Sequence, residues 1–410
     1  MGHRHHVDLD ELTALGDYRR LILSRIAPLT PIGSSLLEAR GTVLAHDVVA
    51  PGDIPPFANS AMDGFALRSG EVAQGTRLQV VGEIAAGSVD RPSPVAGEAV
   101  RIMTGAPMPD GADAVIPLEF VEEEVGQITL TVAPDRGENI RNIGESVRQG
   151  ETVLEAGRVL GPSEIGMLAA MGIARVEVHP KVRVATLATG DELVEPGTPL
   201  RPGQIHESNS YGVAAQVSEA GALAFRQPIV PDDRDSLRRA FRGALSQADV
   251  LVTSGGVSAG RYDLSKQILA EMGDVSFYKV AMQPGMPQAF GTIDGIPVFG
   301  LPGNPVSCAV SFEIHVRPAI RQMQGRTDLN RPRVTATLAE DVRSPEHKVS
   351  FLRVRLVRGG DGWTATTTGA QGSGILRSMV LADGLAEIPA DRDRMASGEQ
   401  VVVHLLVDPS

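Results

Sequence analysis

Short apolar runs alternate with amphipathic segments between residues 182 and 320, and polar or glycine-rich residues follow three of the runs. The runs occupy 182–188, 249–253 and 298–302 and have the length of short strands. Apolar positions at helical spacing predict helices over 208–220, 233–246, 264–272 and 305–323. Strands that alternate with helices in this way predict a central doubly wound α/β domain.

The segments on either side of this region have different patterns. Apolar positions at helical spacing predict one helix over 9–26, which Pro28 ends, and a strand is predicted over 43–49. Gly and Pro interrupt the β-rich region that follows, in which strands are predicted at 78–84, 99–103, 114–117 and 127–132, before a helix at 164–172. The last segment predicts a small all-β domain with strands at 333–338, 350–356, 363–367 and 400–406 and a hairpin turn at 359–362.

Composition narrows the class of protein. The chain has 410 residues, enough for two to four domains, and its 4% of aromatic residues requires aliphatic cores. A net charge of −12 disfavours broad nucleic-acid binding, although a few local cations can still attract a small anion. The single cysteine, Cys308, excludes an internal disulfide, no apolar run approaches the length of a membrane span, and the first residues lack the apolar core of a signal sequence. These features predict a cytoplasmic protein that binds neither nucleic acid nor membrane.

Two segments that follow apolar runs have the composition of anion-binding loops. Residues 254–260, which include Ser254, have the glycine spacing of a Walker A loop but lack its Lys and Ser or Thr, so an ordinary P-loop is excluded. Gly255 and Gly256 still allow backbone N–H groups to approach an anion, or they form a tight turn. The stiff segment Pro302, Gly303, Asn304 and Pro305 is either a rigid anion cradle or a simple helix start.

Carboxylates follow the same predicted strands. Asp191 and Glu192 come after the first run, Asp232 and Asp233 precede a helix, and Asp263 follows the glycine loop. Each of them alone is explained by helix capping or solvation. Because the carboxyl ends of parallel strands share one edge of a sheet, the acids together predict an oxygen-ligand site for Mg²⁺ and a phosphorylated ligand. Lys279 and Arg261 would supply countercharge, with an ordinary surface lysine as the alternative for Lys279.

Two loops outside this domain are unusual in composition. Asp63 lies beside a glycine at 59–66, and Thr104 precedes a glycine at 101–109; without further context both are turns of a β domain. The histidines have no zinc-ligand spacing and the chain has no Gly-X-Ser-X-Gly elbow, so zinc and serine-hydrolase chemistry are unsupported.

Six motifs taken together resemble the MoeA-type molybdopterin molybdenumtransferases, the family that includes the gephyrin E domain. They occur in the family's order and the resemblance covers residues 8–405. The motifs are Asn-Ser-Ala-Met-Asp-Gly-Phe-Ala at 59–66, the segment 101–117, Gly-Glu-Asn-Ile-Arg-Asn-Ile-Gly-Glu at 137–145, Thr-Gly-Asp-Glu-Leu at 189–193, Ser-Gly-Gly-Val-Ser at 254–258 and Gly-Leu-Pro-Gly-Asn-Pro-Val-Ser at 300–307.

The resemblance implies four domains and an elongated homodimer. The implied domains are an N-terminal mixed domain at 8–50 and 137–180, an inserted β-rich domain at 51–136, a molybdopterin-binding α/β domain at 181–327 and a C-terminal β-barrel-like domain at 328–410. In that dimer the α/β domain of one subunit and the N-terminal domains of the other share a site. A molybdopterin adenylyltransferase and the final molybdoenzymes are the implied partners.

The implied reaction inserts molybdenum from molybdate into adenylylated molybdopterin, with Mg²⁺-dependent release of AMP. The motifs place Asp63, Glu192, Asp232, Asp263 and Lys279 on functional positions, and Glu192, Asp232 and Asp263 are expected to bind the metal. The expected substrate-binding residues are Thr104, Ser254, Gly255, Gly256, Ser258, Pro302, Gly303, Asn304, Pro305 and Arg353.

Three residues depart from the family's pattern. Ser146 stands where the family often has an acid, and Gln283 and Met286 stand where many members have lysines, so the anion cleft is less basic.

Three alternative functions are a molybdopterin adenylyltransferase that uses only the α/β domain, a scaffold protein, and a degenerate paralogue without turnover. The long N-terminal half and the C-terminal β domain argue against the first, and the lack of a long linker argues against the second.

Overall fold

The computed structural model describes residues 12–256, 264–360 and 362–407. The chain divides into two compact units. One contains the residues up to Ile32, Gly41–Ala45 and the chain from Glu177 onward; the other contains Gly33–Arg40 and His46–Val176. No helix in the described ranges is both long and apolar enough to cross a membrane.

Short strands dominate the chain up to residue 179. In order, the elements are β1 Leu12–Thr13, α1 Leu15–Ser24, β2 Ile32–Ser35, β3 Val43–Leu44, β4 Val48–Val49, β5 Asn59–Ser60, β6 Gly64–Leu67, β7 Arg77–Ile84, β8 Glu98–Ile102, β9 Ala114–Pro117, β10 Val121–Glu124, β11 Gln127–Leu130, β12 Ile140–Arg141, β13 Thr152–Leu154, α2 Pro162–Ala170 and β14 Arg175–His179. Single turns of 3₁₀ helix occupy Ser69–Glu71 and Leu118–Phe120.

A six-stranded sheet forms the centre of the second unit, in the order β10-β11-β7-β8-β6-β9. Phe65, Leu78, Ile116 and Ile128 are buried in its core. β6 lies so close to β9 that a Cβ at Gly64 would come within 2.0 Å of the Ile116 carbonyl oxygen, which requires glycine at this position.

The α/β domain lies in the first unit and contains the predicted helices. Its elements are β15 Arg183–Ala188, β16 Leu193–Val194, β17 Ile205–His206, α3 Asn209–Glu219, β18 Leu223–Arg226, α4 Arg234–Leu245, β19 Val250–Ser254, α5 Leu264–Met272, β20 Asp274–Val280, β21 Met282–Gln283, β22 Pro287–Ile293, β23 Ile296–Leu301, α6 Pro305–Ser311, a π-helical segment Phe312–Val316 and α7 Arg317–Met323. The sheet order is β1-β20-β22-β23-β19-β15-β18, in which β22 is antiparallel to both of its neighbours.

Two separate apolar cores cover this sheet. One contains side chains of α1, α3, α6 and α7, including Tyr18, Val213 and Val310. The other contains side chains of α4 and α5, including Phe241 and Ile268. Because both faces carry helices, the central strands β15, β19, β22 and β23 are largely buried, and the prediction of a doubly wound α/β domain is confirmed.

The C-terminal domain is a small closed barrel. Its elements are β24 Arg333–Leu338, β25 Val342–Arg343, β26 Val349–Gly359, β27 Gly362–Thr367, α8 Arg377–Val380, β28 Gly384–Ile388, β29 Arg394–Met395 and β30 Gln400–Leu405. Five strands run in the order β26-β27-β24-β30-β28, and β28 pairs again with β26, which closes the ring. β21 extends from the α/β domain and pairs with β26.

The pattern of apolar residues predicted most of the helices and strands, but not all of their first and last residues. Within the helix predicted over 9–26, the structure has the helix α1, Leu15–Ser24; residues 9–11 lie outside the described part of the chain. The strand predicted over 43–49 is two short strands, and the helix predicted over 305–323 contains the π-helical segment. The four domain boundaries remain a prediction, since the contacts divide the chain into two units only.

Candidate functional site

Three parallel strands of the α/β domain end side by side. In the register of the sheet Ala188 lies opposite Ser254, and Ser254 lies opposite Leu301. The segments 189–192, 255–256 and 302–305 therefore emerge together, and we call this edge of the sheet the rim. A rim at the carboxyl ends of parallel strands is where doubly wound domains bind ligands.

Glycines bring two of the rim segments into contact. Gly255 and Gly256 have φ values of +84° and +70°, which side-chain-bearing residues rarely adopt. The Gly255 N–H donates to the Leu301 carbonyl at 3.1 Å, and a Cβ at Gly303 would lie 3.7 Å from the Gly255 Cα. The structure thus places Gly255, Gly256 and Gly303 together beside the buried Ser254, whereas Ser258 lies outside the described residues.

The start of α6 completes this part of the rim. Pro305 occupies the first turn of α6, and Asn304 precedes it with no side-chain capping hydrogen bond. The Asn209 side-chain amide donates to the Gly303 carbonyl at 2.7 Å and holds the segment in place. The segment is therefore a helix start, in which Gly303 is exposed.

Two of the predicted metal ligands are Glu192, on the rim segment 189–192, and Asp232, on the segment that pairs with it. An isolated parallel bridge joins Thr189 to Val230, and the Asp232 N–H donates to Asp191 Oδ1 at 3.1 Å. The Glu192 carboxylate folds over its own turn, where a Cβ at Gly190 would lie 2.6 Å from Oε2. Within the described ranges no three His, Cys, Asp or Glu side chains form a metal-binding group, and the third predicted ligand, Asp263, lies outside those ranges, as does Arg261.

Asp233, which follows these acids, has a structural role. Its side chain caps α4 by accepting a hydrogen bond from the Ser236 N–H at 2.9 Å. The hydrogen bonds from Ser236 lower the pKa of the Asp233 carboxyl. The capping explanation therefore accounts for Asp233 without a ligand.

The connection from β20 to β22 also lies at the rim end of the sheet. Lys279 on β20 lies opposite Pro287, and the chain between them contains Gln283 and Met286. This connection packs against α6: the buried Gln288 side-chain amide donates to the Gly285 carbonyl at 2.5 Å and to Ser311 Oγ at 2.6 Å. Gln288 and Ser311 were not predicted, because their role depends on a contact between segments far apart in the chain.

Arg353 is the largest fully buried side chain of the described residues. On β26, its guanidinium donates to Ser378 Oγ at 3.2 Å and to the carbonyls of Phe351 and Gly372 at 3.2 and 3.5 Å. No carboxylate in the described part of the chain bonds to it, and burial lowers the pKa of Arg353 to about 10. A buried guanidinium without an acid is costly unless an anion binds to it.

The barrel loop that holds Arg353 also reaches the rim. Gln371 Oε1 accepts from the Arg353 N–H at 2.8 Å, and the Ser373 carbonyl accepts from the Val306 N–H of α6 at 3.1 Å. Arg353 and the start of α6 are thus joined through one loop. Sequence reasoning missed Gln371 and Ser378, for which the only signal was the glycine-rich composition around them.

Asp63 and Thr104 form a close pair in the other compact unit. Asp63 Oδ1 accepts from the Thr104 N–H at 2.7 Å and from Thr104 Oγ1 at 2.8 Å. These hydrogen bonds lower the pKa of the exposed Asp63 carboxyl, and the bond from the Thr104 backbone has the larger effect. The structure therefore unites two loops that the sequence left as separate turns, and it keeps Asp63 ionised and fixed in orientation.

The chain was compared with protein-family models and known proteins. Residues 13–172 match the MoeA N-terminal region (domain I and II), residues 185–322 match a probable molybdopterin binding domain, and residues 335–406 match the MoeA C-terminal region (domain IV). Molybdopterin molybdenumtransferase 2 of Mycobacterium tuberculosis (strain H37Rv) is 40% identical over 403 residues, which cover 96% of this chain and 99% of that protein. Molybdopterin molybdenumtransferase of Haemophilus influenzae is 38% identical over 379 residues, which cover 91% and 94% of the two chains.

A solved structure agrees with these matches. The molybdopterin biosynthesis MoeA protein of Pyrococcus horikoshii superposes with a TM-score of 0.82 and 32% identity, covering 96% of this chain and 99% of that one. The fold and the matched regions define a class of protein: a transferase enzyme of molybdenum cofactor biosynthesis with a molybdopterin-binding type of α/β domain. More specifically, the chain belongs to the MoeA family.

Proposed function

We propose that this protein inserts molybdenum from molybdate into adenylylated molybdopterin and releases AMP in an Mg²⁺-dependent step. The observation that carries the proposal is the rim, where Gly255 and Gly303 meet and where the barrel loop that contacts the buried Arg353 is hydrogen-bonded to the start of α6. Both substrates are anionic, and glycine backbone at such a rim lets N–H groups approach their oxygens.

The chemistry of the released group supports this assignment. Cleavage of a linkage between two phosphates accumulates negative charge on oxygens, so catalysis depends on positioning and on electrostatic stabilisation. Ser254, Gly255 and Gly303 would orient the phosphates, and Arg353 and Lys279 would offset their charge. The dithiolene sulfurs arrive with the substrate, which agrees with a chain whose single Cys308 is buried in α6.

The described residues fit Mg²⁺ in the nature of their donor atoms. Glu192 and Asp232 lie on adjoining segments and offer hard carboxylate oxygens, and Asp263 is the proposed third ligand. When bound there, Mg²⁺ would offset the negative charge of the substrate's phosphate oxygens.

We also propose that the active form is a homodimer in the cytoplasm. The pair Asp63 and Thr104 would belong to the site of the other subunit, as the family resemblance implies. Static light scattering at micromolar protein is the test: a monomer would contradict the shared site. The implied partners are an adenylyltransferase that supplies the substrate and molybdoenzymes that receive the product.

The reaction is tested by incubating the protein with adenylylated molybdopterin, Mg²⁺ and molybdate, and measuring AMP and active cofactor together. Release of AMP with formation of active cofactor and no consumption of ATP is the expected result. Consumption of ATP would instead indicate a molybdopterin adenylyltransferase, and no turnover at all would indicate a scaffold or a degenerate paralogue.

Gln283 and Met286 predict a weaker response to salt than in a lysine-rich relative. Each lysine near an anion site adds an attraction that salt screens. Turnover should therefore fall less steeply with added KCl in this protein than in a relative with lysines at both positions. An equal fall in side-by-side assays would contradict this prediction.

A further inference from the structure

A cleft of about 540 Å³ lies at the end of the α/β domain opposite the rim. The ends of α4 and α5 and the turn between β22 and β23 enclose it. β23 begins at Ile296 in this cleft and ends at Leu301 beside the rim, a separation of about 17 Å along the strand. The cleft is therefore separate from the site described above, and its size lies within the range of small-molecule sites.

The floor of the cleft is apolar. Leu245 and Ile293 are buried, and Met272 and Ile296 are half-buried at its sides. A ligand that rests on this floor would remove apolar surface from water, the usual source of small-molecule affinity.

The walls of the cleft carry one cationic and one anionic side chain that have no partner in the described part of the chain. Arg238 donates to Glu271 within the wall, and Arg234, which does not line the cleft, donates to the same carboxylate. The side chain of Arg242, also in the wall, has no hydrogen bond or ion pair with any described residue, and the same holds for the side chain of Asp294. The wall thus presents one guanidinium to an anion and one carboxylate to an N–H donor.

The turn that carries Asp294 is rigid. Ile293 and Ile296 pair across a two-residue turn, in which Asp294 and Gly295 have φ values of +51° and +80°. Positive φ at both positions is typical of a type I′ hairpin turn, which Asp-Gly favours. Asp294 is therefore held at the cleft by the backbone and needs no ligand to fix its position.

We propose that this cleft binds a small organic anion that has an apolar body and an N–H donor. The anionic group binds Arg242, the body rests on Leu245 and Ile293, and the donor binds Asp294. Nucleoside monophosphates and apolar amino acids both have this chemistry, and the experiment distinguishes them.

The test uses the full-length protein labelled with ¹³C at its 12 methionine methyl groups. The Met272 signal is assigned with Met272→Leu, and GMP, AMP and leucine are titrated separately to millimolar concentration. The expected result is a saturable shift of the Met272 methyl with at least one probe. The probe that produces it identifies the class of ligand.

Matched variants separate the cleft from general electrostatics. Arg242→Gln should weaken binding about tenfold or more, and Asp294→Asn, which suits the same turn, should also weaken it. Arg239→Gln makes the same charge change on α4, but Arg239 does not line the cleft and should leave affinity unchanged. An unmoved Met272 methyl with all three probes, or equal losses in the Arg239 and Arg242 variants, would overturn the proposal.

Discussion

Replacing Arg353 by methionine should stabilise the barrel while it abolishes most of the activity. The side chain is buried without a carboxylate partner among the described residues, and burial lowers the pKa of Arg353 from 12.5 to about 10. Because the folded-state pKa is the lower one, the charged guanidinium reduces the free energy of unfolding at any pH below about 10. The difference in pKa corresponds to about 3 kcal/mol.

The net effect of the substitution is smaller than this cost. Arg353→Met also removes hydrogen bonds to Ser378 Oγ and to two carbonyls, so we expect the free energy of unfolding to rise by about 1–3 kcal/mol. Because we propose that Arg353 offsets charge on the substrates, its removal should lower AMP release about 100-fold. Stability gained together with activity lost is the signature of a residue kept for its ligand.

Urea unfolding at pH 7 measures the stability effect. The single tryptophan, Trp363, lies on β27 of the same barrel and reports its unfolding by fluorescence. Arg355→Met is the matched control, since Arg355 lies two residues further along β26 but is exposed, and it should change stability by less than about 0.5 kcal/mol. A lower urea midpoint for Arg353→Met than for the wild type would refute the reasoning, as would full activity.

Three further predictions concern other parts of the chain. Asp232→Asn or Asp263→Asn should abolish AMP release with unchanged circular dichroism; full activity would mean that the metal site is misplaced. Thr104→Val removes the hydroxyl hydrogen bond to Asp63 but leaves the backbone one. The pKa of the Asp63 carboxyl, measured from its ¹³C chemical shift, should therefore rise but stay below the ordinary value of an aspartate. Burial raises the pKa of Cys308 to about 12, so a thiol reagent at pH 8 should detect no thiol in the native protein and one in denaturant; rapid native reaction would contradict the buried position.

The strands and helices that depend on the spacing of apolar residues could be predicted from the sequence. The runs that became β15, β19 and β23 contain mainly apolar residues, and α3, α4 and α5 lie within about two residues of their expected bounds, whereas the helix predicted over 305–323 is divided into α6, the π-helical segment and α7. The shared rim followed from this pattern, because consecutive parallel strands end at the same edge of a sheet. The antiparallel strand β22 did not stand out, since its residues are buried and carry no alternation of apolar and polar positions.

The sequence alone determined where chain segments become strands and helices, and its ordered motifs identified the family. It could not determine which distant side chains meet. The packing of separate segments decides that Arg353 contacts Ser378 and no acid of the described residues, and that Asp63 pairs with Thr104. Closure of the barrel by β26 and β28 likewise depends on pairing between segments far apart in the chain. Helix and strand formation reflects spacing over a few residues, whereas burial and desolvation of a charge depend on everything that surrounds it in the folded protein.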